Sequence, residues 1–223
     1  MTVSTASPAR ARADARPIEP RRCVPQLTRL ADACGRGEPW RAWSSPAFDS
    51  AAAFLALSPG VGCVLEDSAG RRLTHQRLGA AGLSVQAAWN GAAAGVIDAA
   101  LRPRGAARLE LWARDATIAL GAGCPRGLEV RRGVIPPAGW LAHPQLFSLL
   151  HSHFTQVLRP RHGLAYLTRD LRGLFVLDAT DGLAARFAAG LPGACVMRYS
   201  VGFPLIIGGH GGGGLGSGAT VGR

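Results

Sequence analysis

The chain has 223 residues, 48% of them hydrophobic, and a formal net charge of +11, which suits one domain with tails and leaves little room for two large independent ones. Its longest unbroken apolar run, Ala51 to Leu57, falls far short of the roughly 20 residues a membrane-spanning helix needs, so no membrane partner is expected. Met1 to Arg22 mixes Ser, Pro and Arg without the apolar block of a secretory signal, and an intracellular protein is expected.

All 25 basic residues are Arg and none is Lys. Beside abundant Ala and Gly, this pattern fits a GC-rich coding sequence, so the charge by itself does not single out nucleic acid, and an acidic small substrate would serve it equally. Nonspecific nucleic-acid binding through the Arg-rich N-terminus is kept as a lesser alternative and is not the expected function. The five cysteines, Cys23, Cys34, Cys63, Cys124 and Cys195, are scattered, with no Cys-x-x-Cys pair and no His at ligand spacing. Neither a zinc site nor a disulfide framework is indicated.

In chain order, residues 1–25 carry five Arg and four Pro and read as a flexible arm that cannot offset its ordering entropy. A mainly β domain is expected over 26–207. From Ser45 to Val134, short apolar runs are broken by Gly, Pro and Asn-Gly. Trp89, Asn90 and Gly91 predict a hairpin turn, and Leu109, Leu111 and Ala113 alternate with Arg108, Glu110 and Arg114 as in a half-buried strand, with Trp112 breaking the pattern. Pro144 to Leu158 departs from this pattern: Leu146, Phe147, Leu150, Phe154, Val157 and Leu158 recur at helical spacing behind a proline suited to a first turn, predicting one helical insertion. His151 and His153 fall on opposite sides of that helix and cannot share a metal from it, while His143 is placed to help begin it. Gly173 to Leu177, Leu183 to Phe187 and Cys195 to Phe203 read as further strands. Residues 208–223 form a Gly-rich, flexible arm.

One stretch carries chemistry. Gly95, Val96, Ile97 and Asp98, then Leu101, Arg102 and Gly105, resemble the Gly-Val-Ile-Asp-x-x-Tyr-Arg-Gly motif of the dUTPases. Ala47 to Ala51, the Pro59-Gly60 turn, Gly79 to Ser84 and Ile118 to Val130 resemble other motifs of that family in order. His210 to Gly218, including Gly214, Leu215, Gly216 and Ser217, resembles its C-terminal glycine arm, whose backbone amides approach a triphosphate.

The resemblance implies a dUTPase-like jelly roll that hydrolyses dUTP to dUMP and pyrophosphate. In that reading Asp98 activates water from a hairpin, with Gly95, Ile97, Leu101, His210, Gly214, Leu215, Gly216 and Ser217 against the substrate. Mg²⁺ rides on the substrate phosphates, and no protein metal ligands are expected. Leu101 stands where the family has Tyr, Leu215 where it has Phe, and the phosphate-gripping Arg of the second motif is missing. In an alternative alignment to the double-length herpesvirus branch, Asp170 to Val176 and Phe187 to Val196 supply later motifs, placing Thr168 rather than Ala81 near the phosphates. Ordinary family members are homotrimers and the herpesvirus forms monomers; length does not choose between them. A viral source would put the protein in the host nucleus rather than the cytoplasm. A dUTPase-derived chain that has lost hydrolysis and binds a protein partner is the second reading.

Overall fold

The computed structural model describes residues 17–30, 51–101 and 111–209. Two antiparallel sheets form its frame. The smaller is built from β1 (Val24–Arg29), β2 (Phe54–Ser58) and β3 (Val61–Glu66), in the order β1-β3-β2. The larger contains β4 (Trp112–Asp115), β5 (Gly127–Arg132), β6 (Leu164–Thr168), β7 (Leu174–Asp178), β8 (Cys195–Ser200) and β9 (Phe203–Gly209), in the order β4-β5-β7-β6-β8-β9. Helices α1 (His75–Ala80), α2 (Val85–Ala100), α3 (Thr117–Leu120), α4 (Pro144–Leu158) and α5 (Asp181–Ala189) claim a share of the described chain comparable to that of the strands. The architecture is therefore rich in antiparallel sheet, with helices as equal partners.

The central strands β6 and β7 are buried on both faces, which explains their nearly continuous apolar sequence. On one face, Leu164, Tyr166, Leu174, Val176 and Met197 meet α4, α2, the 3₁₀ segment Pro137–Ala142 and the smaller sheet in the main core. On the other face, Ala165, Leu167, Phe175, Leu177 and Val196 meet Ala184 and Ala188 of α5. Helix α4 has the predicted residue range. Its Leu146, Phe147, Leu150, Phe154 and Leu158 form the buried stripe, each contributing about 1.5–3 kcal/mol by leaving water. His143 caps it, accepting the Gln145 N–H on Nδ1 at 3.2 Å.

Three sequence expectations are corrected. The Trp89-Asn90-Gly91 hairpin is instead the middle of α2, whose Ala88, Ala92, Val96 and Ala100 recur every fourth residue and lie buried. Ser84 caps it by accepting the Ala87 N–H at 3.0 Å, and the alanine stripe outweighs the local turn preference of Asn-Gly. Leu183 to Phe187 lies in α5, not in a strand: Thr180 accepts the Leu183 N–H and Asp181 sits in the first turn, both helix-start signals. Residues 17–25, expected to belong to a flexible arm, are part of the fold. Pro20–Arg22 forms a 3₁₀ turn, and β1 pairs with β3 from Val24 onward. Ala47 to Ser50, Arg102 and Gly105 of the Asp98 motif, Leu109 at the start of the predicted strand, and the glycine arm from His210 lie outside the described residues.

Candidate functional site

The residues singled out by the sequence do not form one site. Gly95 and Asp98 belong to α2 rather than to a hairpin tip, and the helix assigns each a structural task. A Cβ on Gly95 would overlap the Arg21 carbonyl, and one on Gly91 would overlap the Pro20 ring. These two glycines, one turn apart, let the 3₁₀ turn lie against the helix backbone. Asp98 points to solvent and ion-pairs with Arg21, the two side chains being 49% and 68% exposed. Ile97 packs against the main core, and Leu101 is the half-buried C-cap of α2. Thr168 is fully buried within the larger sheet, opposite Cys195, with its hydroxyl unpartnered. It cannot line an open cleft with the exposed Asp98. His210, Gly214, Leu215, Gly216 and Ser217 lie outside the described residues.

Among the described residues, no group of three or more His, Cys, Asp and Glu side chains is placed to hold a metal ion. A Mg²⁺ carried on substrate phosphates would require none, but Asp98 offers it only a carboxylate already paired with a cation.

Two clefts collect charge. The first, of about 190 Å³, lies between the Pro17–Cys23 segment and the turn after β3. Its arginines are engaged. Asp67 accepts Arg71 Nε at 3.1 Å and Arg77 Nη2 at 3.0 Å, together with the Ala69 and Arg71 amides, and Glu19 holds Arg22 at 2.7 Å. The Asp67 bonds tie the turn after β3 to the start of α1, and the Glu19–Arg22 pair lies within the N-terminal segment.

The second cleft, of about 640 Å³, opens at one end of the larger sheet, between Pro125, Arg126, Arg161, His162, Asp178 and Leu183. Three connections meet there: the turn leading into β5, the loop from α4 to β6, and the link from β7 to α5. Asp178, buried at the end of β7, organises them. Its Oδ2 accepts the Arg161 N–H at 2.9 Å and its Oδ1 the His162 N–H at 2.8 Å, while its own N–H donates to the Arg126 carbonyl at 2.7 Å. Burial pushes the Asp178 carboxyl upward, but the two amides and the fields of His162 and Arg126 bring it below the usual carboxylate range. The loop leaves α4 through Arg159 at φ 45° and enters β6 through Gly163 at φ 99°. Arg198 braces its far side, donating to the Ala179 carbonyl at 2.5 Å and pairing with Asp181.

The carboxylate is thus occupied by backbone amides, leaving the cleft rim cationic. Arg126, Arg161 and His162 are exposed, and among the described residues neither guanidinium is held in an ion pair. Leu183 and Pro125 give the cleft an apolar side. Two guanidiniums outside any described ion pair, with an imidazole lining the same cleft, are suited to an oxyanion, since each guanidinium can donate two parallel N–H bonds.

A third polar cluster lies under α4. His151 Nδ1 is 2.8 Å from the Tyr166 hydroxyl, the His151 ring stacks on Tyr199 at 4.3 Å, and Ser148 meets the Tyr199 hydroxyl at 2.9 Å. Ser148 donates to the Pro144 carbonyl at 2.7 Å, which commits its proton to the helix. Burial lowers the His151 pKa, and the cluster satisfies buried polar groups between α4 and β8.

Comparison of the chain with protein-family models finds no match, and neither the curated proteins nor the solved structures searched contain a significantly similar one.

Proposed function

We propose that the chain is an oxyanion-binding protein whose ligand presents a phosphate or carboxylate to Arg126, Arg161 and His162. The observation that carries this reading is Asp178. A buried carboxylate fixes the backbone from which Arg161 and His162 project through its amides, not through an ion pair with either guanidinium, so that backbone is ordered before a ligand arrives. Preorganisation of this kind lowers the ordering cost of binding. Hydrolysis of dUTP at Asp98 with phosphate-borne Mg²⁺, in a jelly roll, is the second reading. The Gly95 to Asp98 sequence and the terminal glycines favour it; the helical setting of Asp98 and its pairing with Arg21 weigh against it.

Calorimetric titration of the full chain with inorganic pyrophosphate tests the first reading. Saturable binding is expected, weakened roughly ten- to a hundredfold by Arg161→Ala, the equivalent of one charge-assisted bond set. Absence of binding, or equal binding by Arg126→Ala/Arg161→Ala, overturns it. Pyrophosphate release from dUTP that disappears in Asp98→Asn would restore the second reading.

A further inference from the structure

The end of the sheet that carries the cationic cleft also carries an exposed apolar hairpin. In the turn joining β8 to β9, Val201 (φ 49°) and Gly202 (φ 88°) both take left-handed backbone. Gly202 is buried against Pro144, where a Cβ would fall 2.6 Å from the proline Cβ. That contact holds the turn rigid and leaves Val201 87% exposed. Phe203, Leu205 and Ile206 behind it are 36–45% exposed, so the turn and the strand that follows it present four large apolar side chains to solvent.

The register ties this hairpin to the cleft. Leu164 pairs with Asp178, and Tyr166 pairs with Met197, so the C-terminal end of β8 runs beside the start of β6. Leu205 stands opposite Arg198, the side chain that reaches the Ala179 carbonyl next to Asp178. Three strand spacings, about 15 Å, separate β7 from β9. Arg126, Arg159, Arg161 and His162 crowd the same end. The carboxylates described at this end are Asp178, held by amides, Asp181, held by Arg198, and Asp115 at the end of β4, which accepts the Thr117 N–H; Arg126, Arg159, Arg161 and Arg198 outnumber them, so the local charge is positive, in keeping with the chain's +11.

We propose that this end of the sheet docks on an anionic phospholipid surface, the Val201 turn entering the interface while the cleft takes a headgroup phosphate. The inference rests on the oxyanion reading of the cleft and names its ligand. A rigid apolar tip beside several arginines matches the interface between headgroups and acyl chains, where cations meet phosphate and apolar side chains leave water. A nucleic acid would satisfy the arginines but would offer nothing to Val201 and Leu205, and a free phosphate would not reach them.

The test is sedimentation of the full chain with vesicles of phosphatidylcholine alone and of phosphatidylcholine mixed with phosphatidylglycerol, for the wild type and Val201→Asp. Val201 is a solvent-facing turn residue, so the variant should retain the native circular dichroism spectrum and its pyrophosphate affinity. Co-sedimentation with the mixed vesicles only, reduced about tenfold in Val201→Asp, is the expected result. Equal partitioning of the variant would reduce the effect to general charge attraction and overturn the proposal. Failure to sediment with intact pyrophosphate binding, or binding of duplex DNA in place of vesicles, would overturn the lipid assignment while leaving the oxyanion cleft standing. Loss of both pyrophosphate and vesicle binding would remove the cleft reading as well.

Discussion

Replacing Asp178 with Asn probes the organisation of the cleft without changing side-chain volume. The carboxylate accepts two backbone amides, one on each oxygen. Asn can accept only one, and its NH₂ then faces the other N–H, leaving a buried donor without a partner. Hydrogen bonds to charged groups are worth about 1.5–3 kcal/mol each, so a loss of about 2 kcal/mol is expected. For a chain of this size that corresponds to a fall in the thermal midpoint of roughly 4–8 °C. The sign of the pH dependence follows from the lowered carboxyl. Its contribution is complete above the unfolded carboxylate pKa, about 3.9, and is lost as pH falls through the folded value. The gap between wild type and Asp178→Asn should therefore be constant from pH 6 to 8 and close below about pH 4. Differential scanning calorimetry across that range, with amide exchange at Arg161 and His162, reads both quantities. Equal midpoints at pH 7 with unchanged exchange at those amides would refute the anchoring role.

Other perturbations separate packing from chemistry. Gly95→Ala forces a methyl into the Arg21 carbonyl and should cost about 1–3 kcal/mol, with faster proteolysis between Pro17 and Cys23; wild-type stability and cleavage would contradict the close approach. Asp98→Ala removes an exposed pair and should change stability by less than about 1 kcal/mol, so a shift of many degrees would show that Asp98 bears more than this contact. Burial holds His143 down at about 4, against about 6.5 when unfolded. Its neutral form contributes stability that is present above pH 6.5 and declines toward pH 4, and His143→Asn should flatten that slope by up to one proton's worth. An unchanged slope in urea titrations over this range would contradict it.

Helix α4 was legible because its apolar residues obey one period and Pro144 marks its start, and β7 and the first half of β8 because their buried residues are nearly all apolar; the strand expected over Cys195 to Phe203 ends at Ser200, where Val201 and Gly202 turn the chain into β9. Helix α2 was misread where Asn90-Gly91 drew attention to a turn. The stripe of Ala88, Ala92, Val96 and Ala100 was less visible, since mostly small residues on a helix stripe contribute little hydrophobic contrast. Thr180 and Asp181 carried the start of α5, but the following five residues, Leu183 to Phe187, are short enough to fit either a strand or a helix. Asp98 attracted a catalytic reading through its neighbours in sequence, whereas its neighbour in space is Arg21, 77 positions away. The cleft had no sequence signature. Arg126, Arg161 and Asp178 come from three connections, and what joins them is the register of β5, β6 and β7.

The most direct measurement is calorimetric titration of inorganic pyrophosphate into the wild-type chain and into Arg126→Ala/Arg161→Ala at fixed, low salt. One saturable site in the wild type, absent from the double variant while its thermal midpoint stays within a few degrees, is the expected outcome. Identical isotherms for the two proteins, or none for either, would contradict a preorganised oxyanion site at the end of the larger sheet.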